Sequence, residues 1–287
     1  CVSFDALTTV DGGIYFDGCR SLTSLDGLST LTTVNSLNFI ACTGLTSLDG
    51  LSALTRVRMS MDLCGCTALT SVAGLSTLTT VGKGLSFGSC TALTSVDGLA
   101  ALTAVGSLYF FECTALTSVD DLSALTRINA SLSFRGCTTL TSVDGLSALA
   151  TVGGTMYFNR CTSLTSVDCL SALTMIRGNL LFRECTALTS VNGLSVLTAV
   201  HDLSFGGCTA LTSVDGLTAL TLVIGDLNFG ECTALTSVDG LAKLTTLDGE
   251  LVLLVAQPLD HRMACLRWLR ELLEDGIDHY FLIFKKN

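Results

Sequence analysis

One proline, one tryptophan and three histidines occur in 287 residues, and only 14% of the residues are charged. So little proline and charge beside 49% apolar residues excludes an intrinsically disordered chain, which lacks the apolar surface needed to offset the entropy of ordering. The three histidines, His201, His261 and His279, stand at no ligand spacing from a cysteine, so no zinc site and no other metal or cofactor is expected. Basic residues are scarce as well. Fifteen Lys and Arg against 25 Asp and Glu leave a net charge of −10, which repels a phosphate backbone and argues against nucleic acid as a partner. Long apolar runs are missing too: the longest, Leu251–Ala256, is far shorter than the roughly 20 residues that span a bilayer. The N-terminus shows no basic-then-apolar leader pattern. Cys1 falls in mid-repeat, so the chain reads as a processed or truncated product as readily as a whole one, and its compartment stays open.

Repetition is what the chain has in abundance. Cysteine recurs at Cys19, Cys42, Cys66, Cys90, Cys113, Cys137, Cys161, Cys185, Cys208 and Cys232, always 23 or 24 residues apart. A fixed period of this size marks a solenoid, whose units bury their apolar faces only by stacking. In the unit starting at Cys66 the apolar positions are Leu69, Val72, Leu75, Leu78, Val81, Leu85 and Phe87, followed by Cys90. Leu85-Ser86-Phe87 alternates in and out as a strand does. The three-residue steps read as short extended pieces that turn a corner at each Asp-Gly. Units of 23 residues lose their residue between the Val and the strand, as in Val105-Gly106-Ser107-Leu108, which places a loop there. The chain is thus expected to be an all-β solenoid, a right-handed parallel β-helix with leucine-rich-repeat-like coils of 23–24 residues. It would occupy residues 1–255, with a partial first coil over 1–18. The remaining residues, 256–287, read as a cap: a helix over Asp260–Asp275 with Met263, Leu266, Leu269, Leu272 and Leu273 on one side, started by Asp260 and stopped by Gly276, then a strand over Tyr280–Phe284.

The ten-fold cysteine ladder reads as core packing, since a thiol is a small, readily buried group and side chains in parallel register have poor bridging geometry. Any bridge should involve the off-ladder Cys1, Cys64, Cys169 or Cys265. An Asp follows the Val in most repeats (Asp26, Asp49, Asp97, Asp120, Asp144, Asp168, Asp215 and Asp239), and its expected role is to hydrogen-bond the turn it precedes, not to gather calcium. A Thr column runs from Thr23 through Thr117 to Thr236. Regular threonines occur on the flat faces of ice-binding proteins, but these stand on an arc, so backbone satisfaction is the expected role.

The outward positions of the Leu-x-Phe strand are where the repeats disagree. The bulky set falls on four consecutive strands: Tyr109 and Phe111; Arg135; Tyr157 with Asn159 and Arg160; Leu181 and Arg183. Aromatics and arginines on one rigid face have the composition of binding hot spots. This face carries no histidine and no paired carboxylate, so no enzyme is expected.

The pattern Leu-Thr-Ser-Val-Asp-Gly-Leu-Ser-Ala-Leu-Thr, then Ile or Val, a Gly-bearing loop, Leu-x-Phe and Cys, resembles the repeat of receptor L domains, the leucine-rich-repeat relatives found in insulin- and epidermal-growth-factor-type receptors. The resemblance covers about residues 2–255 and implies a single-chain β-helix and an extracellular or cell-surface setting. The chain departs from those domains in having more coils, nearly identical to one another, and no kinase or disulfide-rich module. The expected function is a non-enzymatic recognition or adhesion module for protein or glycan, using the face centred on Tyr109–Arg183. The alternatives are a structural subunit buried in a larger assembly and, third, ice binding. A sequon, Asn129-Ala130-Ser131, lies in a predicted loop.

Overall fold

The computed structural model describes residues 6–253. The expected helix and strand of 256–287, with Cys1 and Cys265, lie outside the described residues.

The coils follow one path, illustrated by the coil from Cys137; the coil from Cys90 differs in having a plain turn at Asp97 and Gly98 where the others have a 3-10 turn. A 3-10 turn (Asp144–Leu146) leads to a two-residue strand (Thr151–Val152), a bend, and a second strand (Met156–Tyr157) just before Cys161. Strands pair in parallel with their equivalents one coil up and down, Met156 with Leu132 and Leu180, Tyr157 with Ser133 and Leu181, except that the first-strand line breaks between Met175–Ile176 and Ala199–Val200 and leaves a separate three-stranded sheet. In four coils the two segments join, as in Thr80–Ser86 and Ala104–Tyr109. Between these two the register slips one residue after Val81 and resumes at Gly84 opposite Ser107. That slip is the loop in which a 23-residue unit drops a residue, and the ladder on either side is undisturbed.

The three-residue apolar steps divide: Leu-Thr-Ser-Val is a short extended piece, bridged in parallel between coils at Ser166 and Ser190 and at Ser213 and Ser237, whereas the step after the Val is a 3-10 turn. Three residues per turn is the 3-10 period, so Val, the following Leu and the next Leu fall on one inward edge; Leu146 N donates to Val143 O at 2.9 Å, and Leu149 N to Leu146 O at 2.9 Å. The Asp is not what caps this turn. Instead the Ser two residues earlier accepts from the Asp backbone N–H, as Ser142 does from Asp144 (3.0 Å) and Ser237 from Asp239 (3.1 Å). Glycine is required after the Asp because coils touch there: a Cβ on Gly145 would run into the carbonyl of Val119 in the coil before.

The core is a set of columns, each dominated by one residue type. Leu, Val, Phe and Cys are fully or almost fully buried from Leu25 to Leu253. Each large side chain contributes about 1.5–3 kcal/mol on burial. Phenylalanine rings from Phe87 to Phe229 stack face to face, as in Phe158–Phe182 with centroids 4.9 Å apart and planes within 7°. The other pairs of this run lie 5.2–5.6 Å apart, slightly beyond the strand spacing of about 4.8 Å, so the backbone pitch brings the rings into register and an offset between them takes up the difference. The column skips one coil, where Leu63 stands between Phe39 and Phe87.

The cysteine ladder packs and also bonds. From Cys42 onward each ladder thiol donates to the carbonyl three residues before the preceding ladder cysteine, as Cys137 Sγ does to Phe110 O (2.9 Å) and Cys161 Sγ to Phe134 O (3.0 Å). All twelve described cysteines, Cys64 and Cys169 included, are free thiols. The threonine columns are spent between coils: Thr141 Oγ1 donates to Thr117 O (3.2 Å) and Thr189 Oγ1 to Thr165 O (3.1 Å). The residue before each ladder cysteine has positive φ, from Gly18 (71°) to Glu231 (62°), and six of the ten are not glycine. A left-handed L-residue costs roughly 1–2 kcal/mol. The turn is held in spite of this because its N–H continues the inter-coil ladder, as Arg160 N does to Arg183 O at 2.8 Å.

Candidate functional site

The second strand line of the coils carries the predicted face as a grid. One column, set by strand pairing, runs Tyr109, Ser133, Tyr157, Leu181. The next outward column runs Phe111, Arg135, Asn159, Arg183, and beyond it Arg160 and Glu184 sit in the left-handed turns. Inward Phe110, Phe134, Phe158 and Phe182 hold the strands from beneath. The grid is therefore rigid by construction: it is the outer surface of the stacked phenylalanine column.

A hollow of about 600 Å³ opens on this face. Tyr109, Phe111 and Tyr157 supply apolar wall; Arg135, Arg160 and Arg183 supply positive charge, and Asn159 an amide. Seven of the eight residues singled out in the sequence thus come together here. Leu181 does not line the hollow; it sits one coil beyond Tyr157. Two liners were missed in the sequence, Ser133 and Glu184. Ser133 escapes notice because it is small, yet its smallness makes the depression: it lies between two tyrosines and is only 6% exposed. Glu184 could have been found from its place before Cys185, the same position as Arg160 one coil earlier.

The polar groups are partly tied. Arg160 Nε meets Glu184 Oε2 at 3.0 Å, an exposed ion pair worth at most about 1 kcal/mol. Arg183 Nε donates to Ser204 Oγ at 3.1 Å, and its backbone N–H to Asn159 Oδ1 at 3.0 Å. The bond to Ser204 aims the Arg183 guanidinium, and the bond to Oδ1 leaves Asn159 an amide nitrogen with no acceptor found among the described residues. Phe111 lies across the coil before it, its ring covering the place where a Cβ on Gly88 would stand.

The thiols are poised against chemistry. Burial pushes Cys66 and Cys113 up to about 12, and Cys169 likewise to about 12. Cys64, half-buried beside this face, is also raised, first by burial and then by Asp62 and Glu112. A nucleophilic cysteine needs the opposite shift, toward thiolate. The Asp column ties coils together: Asp168 Oδ1 accepts from Ser190 Oγ (2.7 Å) and Asn192 N (2.9 Å) of the next coil.

The repeat itself matches a known family. A profile for the BspA type leucine rich repeat region covers residues 12–141, 57–180 and 130–251 in overlapping stretches. The chain belongs to this family. The match places these coils among BspA-type leucine-rich repeats, in place of the receptor L domains expected from the unit. Among solved structures, a leucine-rich repeat protein from Bacteroides ovatus ATCC 8483 is 14% identical, with all of this chain and 94% of that one covered and a TM-score of 0.25. A leucine rich cell surface protein from Faecalibacterium prausnitzii A2-165 is also 14% identical, over 88% of this chain and 85% of that one, with a TM-score of 0.29. Comparison with curated proteins returns no match. Membership of the BspA-type family therefore rests on the repeat unit and not on the overlay of whole chains.

Proposed function

We propose that this BspA-type solenoid is a non-enzymatic recognition or adhesion module that binds a protein or glycan on the outer face of its parallel sheet, over Tyr109–Arg183. The observation that carries this reading is the hollow in which three aromatic rings and three arginines converge on a backbone held by the phenylalanine stack. Preorganised aromatic and arginine side chains lose little entropy on binding, and such residues dominate recognition surfaces. An extracellular or surface setting fits the family, the likeness of the unit to receptor L domains, and the exposed Asn129 of the sequon in the bend between Arg127–Ile128 and Leu132–Ser133. Ice binding is the weaker reading, because threonine hydroxyl hydrogens are directed to carbonyls of the neighbouring coil.

The test is a panel of immobilised glycans and extracellular proteins probed with the native chain and with a Tyr109→Ser, Tyr157→Ser, Arg183→Ser triple variant. Loss of a bound member in the variant, with an unchanged melting temperature, supports the face. A variant that retains every interaction of the native chain sinks it. A chain that is monomeric and well behaved in solution counts against the assembly-subunit alternative.

A further inference from the structure

The distribution of charge is uneven in a way that the overall acidity hides. The chain carries −10, yet residues 127–183 contain five arginines (Arg127, Arg135, Arg160, Arg177 and Arg183) and only two acids, Asp144 and Asp168. Both acids sit on 3-10 turns, elsewhere on the coil from the strand face. The hollow is lined by three arginines against the single Glu184, and that glutamate is taken by Arg160. Arg135 and Arg183 have no carboxylate partner among the described residues. On an acidic body this is a positive island, to which an anionic ligand is drawn and from which the remaining surface turns it away.

The shape specifies more than the sign. Tyr109 and Tyr157 stand two strand spacings apart, about 10 Å, with Ser133 on the floor between them. Ser133 is 6% exposed; its Oγ accepts from Arg135 N at 3.4 Å, and no acceptor for its O–H is found among the described residues. A buried hydroxyl hydrogen without an acceptor is costly, and a ligand oxygen placed between the tyrosines would take it. The Asn159 amide adds a second donor at the rim. A slot with aromatic walls and donors on floor and rim suits a ring that is apolar on its faces and oxygen-rich at its edge.

We infer that the hollow between Tyr109 and Tyr157 is a binding site for an acidic sugar, a pyranose carrying a carboxylate or a sulfate. The ring lies between the tyrosines over Ser133, and its anionic group meets Arg135 and Arg183. This inference rests on the recognition reading above and narrows its ligand class.

The test titrates the full chain, by calorimetry, with a hexameric oligogalacturonate, a heparin-derived hexasaccharide, a fully methyl-esterified oligogalacturonate and an acidic glutamate–tyrosine peptide. Expected is binding of the carboxylated or the sulfated sugar, weakened as sodium chloride is raised, and at least about tenfold weaker for the neutral ester. Whichever acid binds names the anionic group. The Arg135→Ser, Arg183→Ser double variant and the Tyr157→Ser variant should each lose at least about tenfold, while Arg20→Ser and Arg56→Ser, on exposed residues of other coils, should change nothing. Circular dichroism confirms that each variant is folded. If neither acidic sugar binds, or if binding ignores Arg135, Arg183 and Tyr157, the inference is overturned. Binding of the peptide alone, with dependence on those residues, overturns the sugar and leaves the recognition face standing; silence toward these probes and the whole panel removes both.

Discussion

The inner and outer edges of one strand segment behave as different molecules. Inward, Phe110, Phe134, Phe158 and Phe182 repeat one residue type in one geometry; outward, their neighbours run Phe111, Arg135, Asn159 and Arg183. The inner edge is constrained because each ring is the floor of the next, so a change in one coil is felt by two others. The outer edge meets solvent, and no such stacking constrains it. Uniformity therefore marks scaffold in this protein, and function is to be sought where uniformity lapses.

The largest effect expected on the inner edge comes from alkali. Burial raises Cys66, Cys113, Cys137 and Cys232 well above the ordinary thiol value, so an unfolded chain releases these protons near pH 9 while the folded chain keeps them. The stability they hold is complete below pH 9 and is lost as pH climbs toward the folded values near 12 and above. Each such thiol contributes a slope of about 1.4 kcal/mol per pH unit, and several act together, so melting temperature followed by circular dichroism should fall abruptly between about pH 9 and 10.5. A flat profile through that window would contradict the buried ladder. Next in size, Phe134→Ala should cost about 3–5 kcal/mol by urea unfolding, because it opens a void between two stacked neighbours.

Smaller changes sharpen the contrast. Ala41→Gly, at a φ of 57°, should stabilise by roughly 0.5–1 kcal/mol, the relief of the left-handed turn exceeding the entropy that glycine adds to the unfolded chain. On the outer edge Arg135→Ser should move stability by no more than about 0.5 kcal/mol while weakening the binding proposed for this face. If Arg135→Ser and Phe134→Ala, one residue apart, proved equally destabilising, the division of the coil into scaffold and face would fail.

Most of the inner edge was legible in advance, because a residue that must stack on its own copy has to recur with the period. The cysteine column, the inward Leu-x-Phe strand and the loop that absorbs a deletion could all be read from spacing. The extended Leu-Thr-Ser-Val pieces and the corner at Asp-Gly are legible, but the 3-10 form of that corner is not: a step of three residues carries no direct mark of backbone conformation, and Asp-Gly suggests a corner of any kind. The capping role went to Ser142 and its equivalents, since a hydroxyl two residues before the turn reaches the N–H that the carboxylate overshoots. The left-handed column was hidden because only Gly18, Gly65, Gly136 and Gly207 announce it, while Ala41, Glu112 and Arg160 adopt the same conformation without the usual signature.

The amino-acid sequence by itself determined the coil, its length and its buried columns, and through the common period it put Tyr109, Arg135, Tyr157 and Arg183 on one face. Only the tertiary structure decided that this face is concave. Depth depends on the relative reach of neighbouring side chains, and Ser133 becomes a floor only once parallel pairing sets a tyrosine on each side of it. Which arginines remain available was settled in the same way, for Arg160 is claimed by Glu184 of the next coil and Arg183 is aimed by Ser204. Such choices are made between residues more than 20 positions apart in the chain, across a gap of one strand spacing, and spacing along the sequence cannot express them.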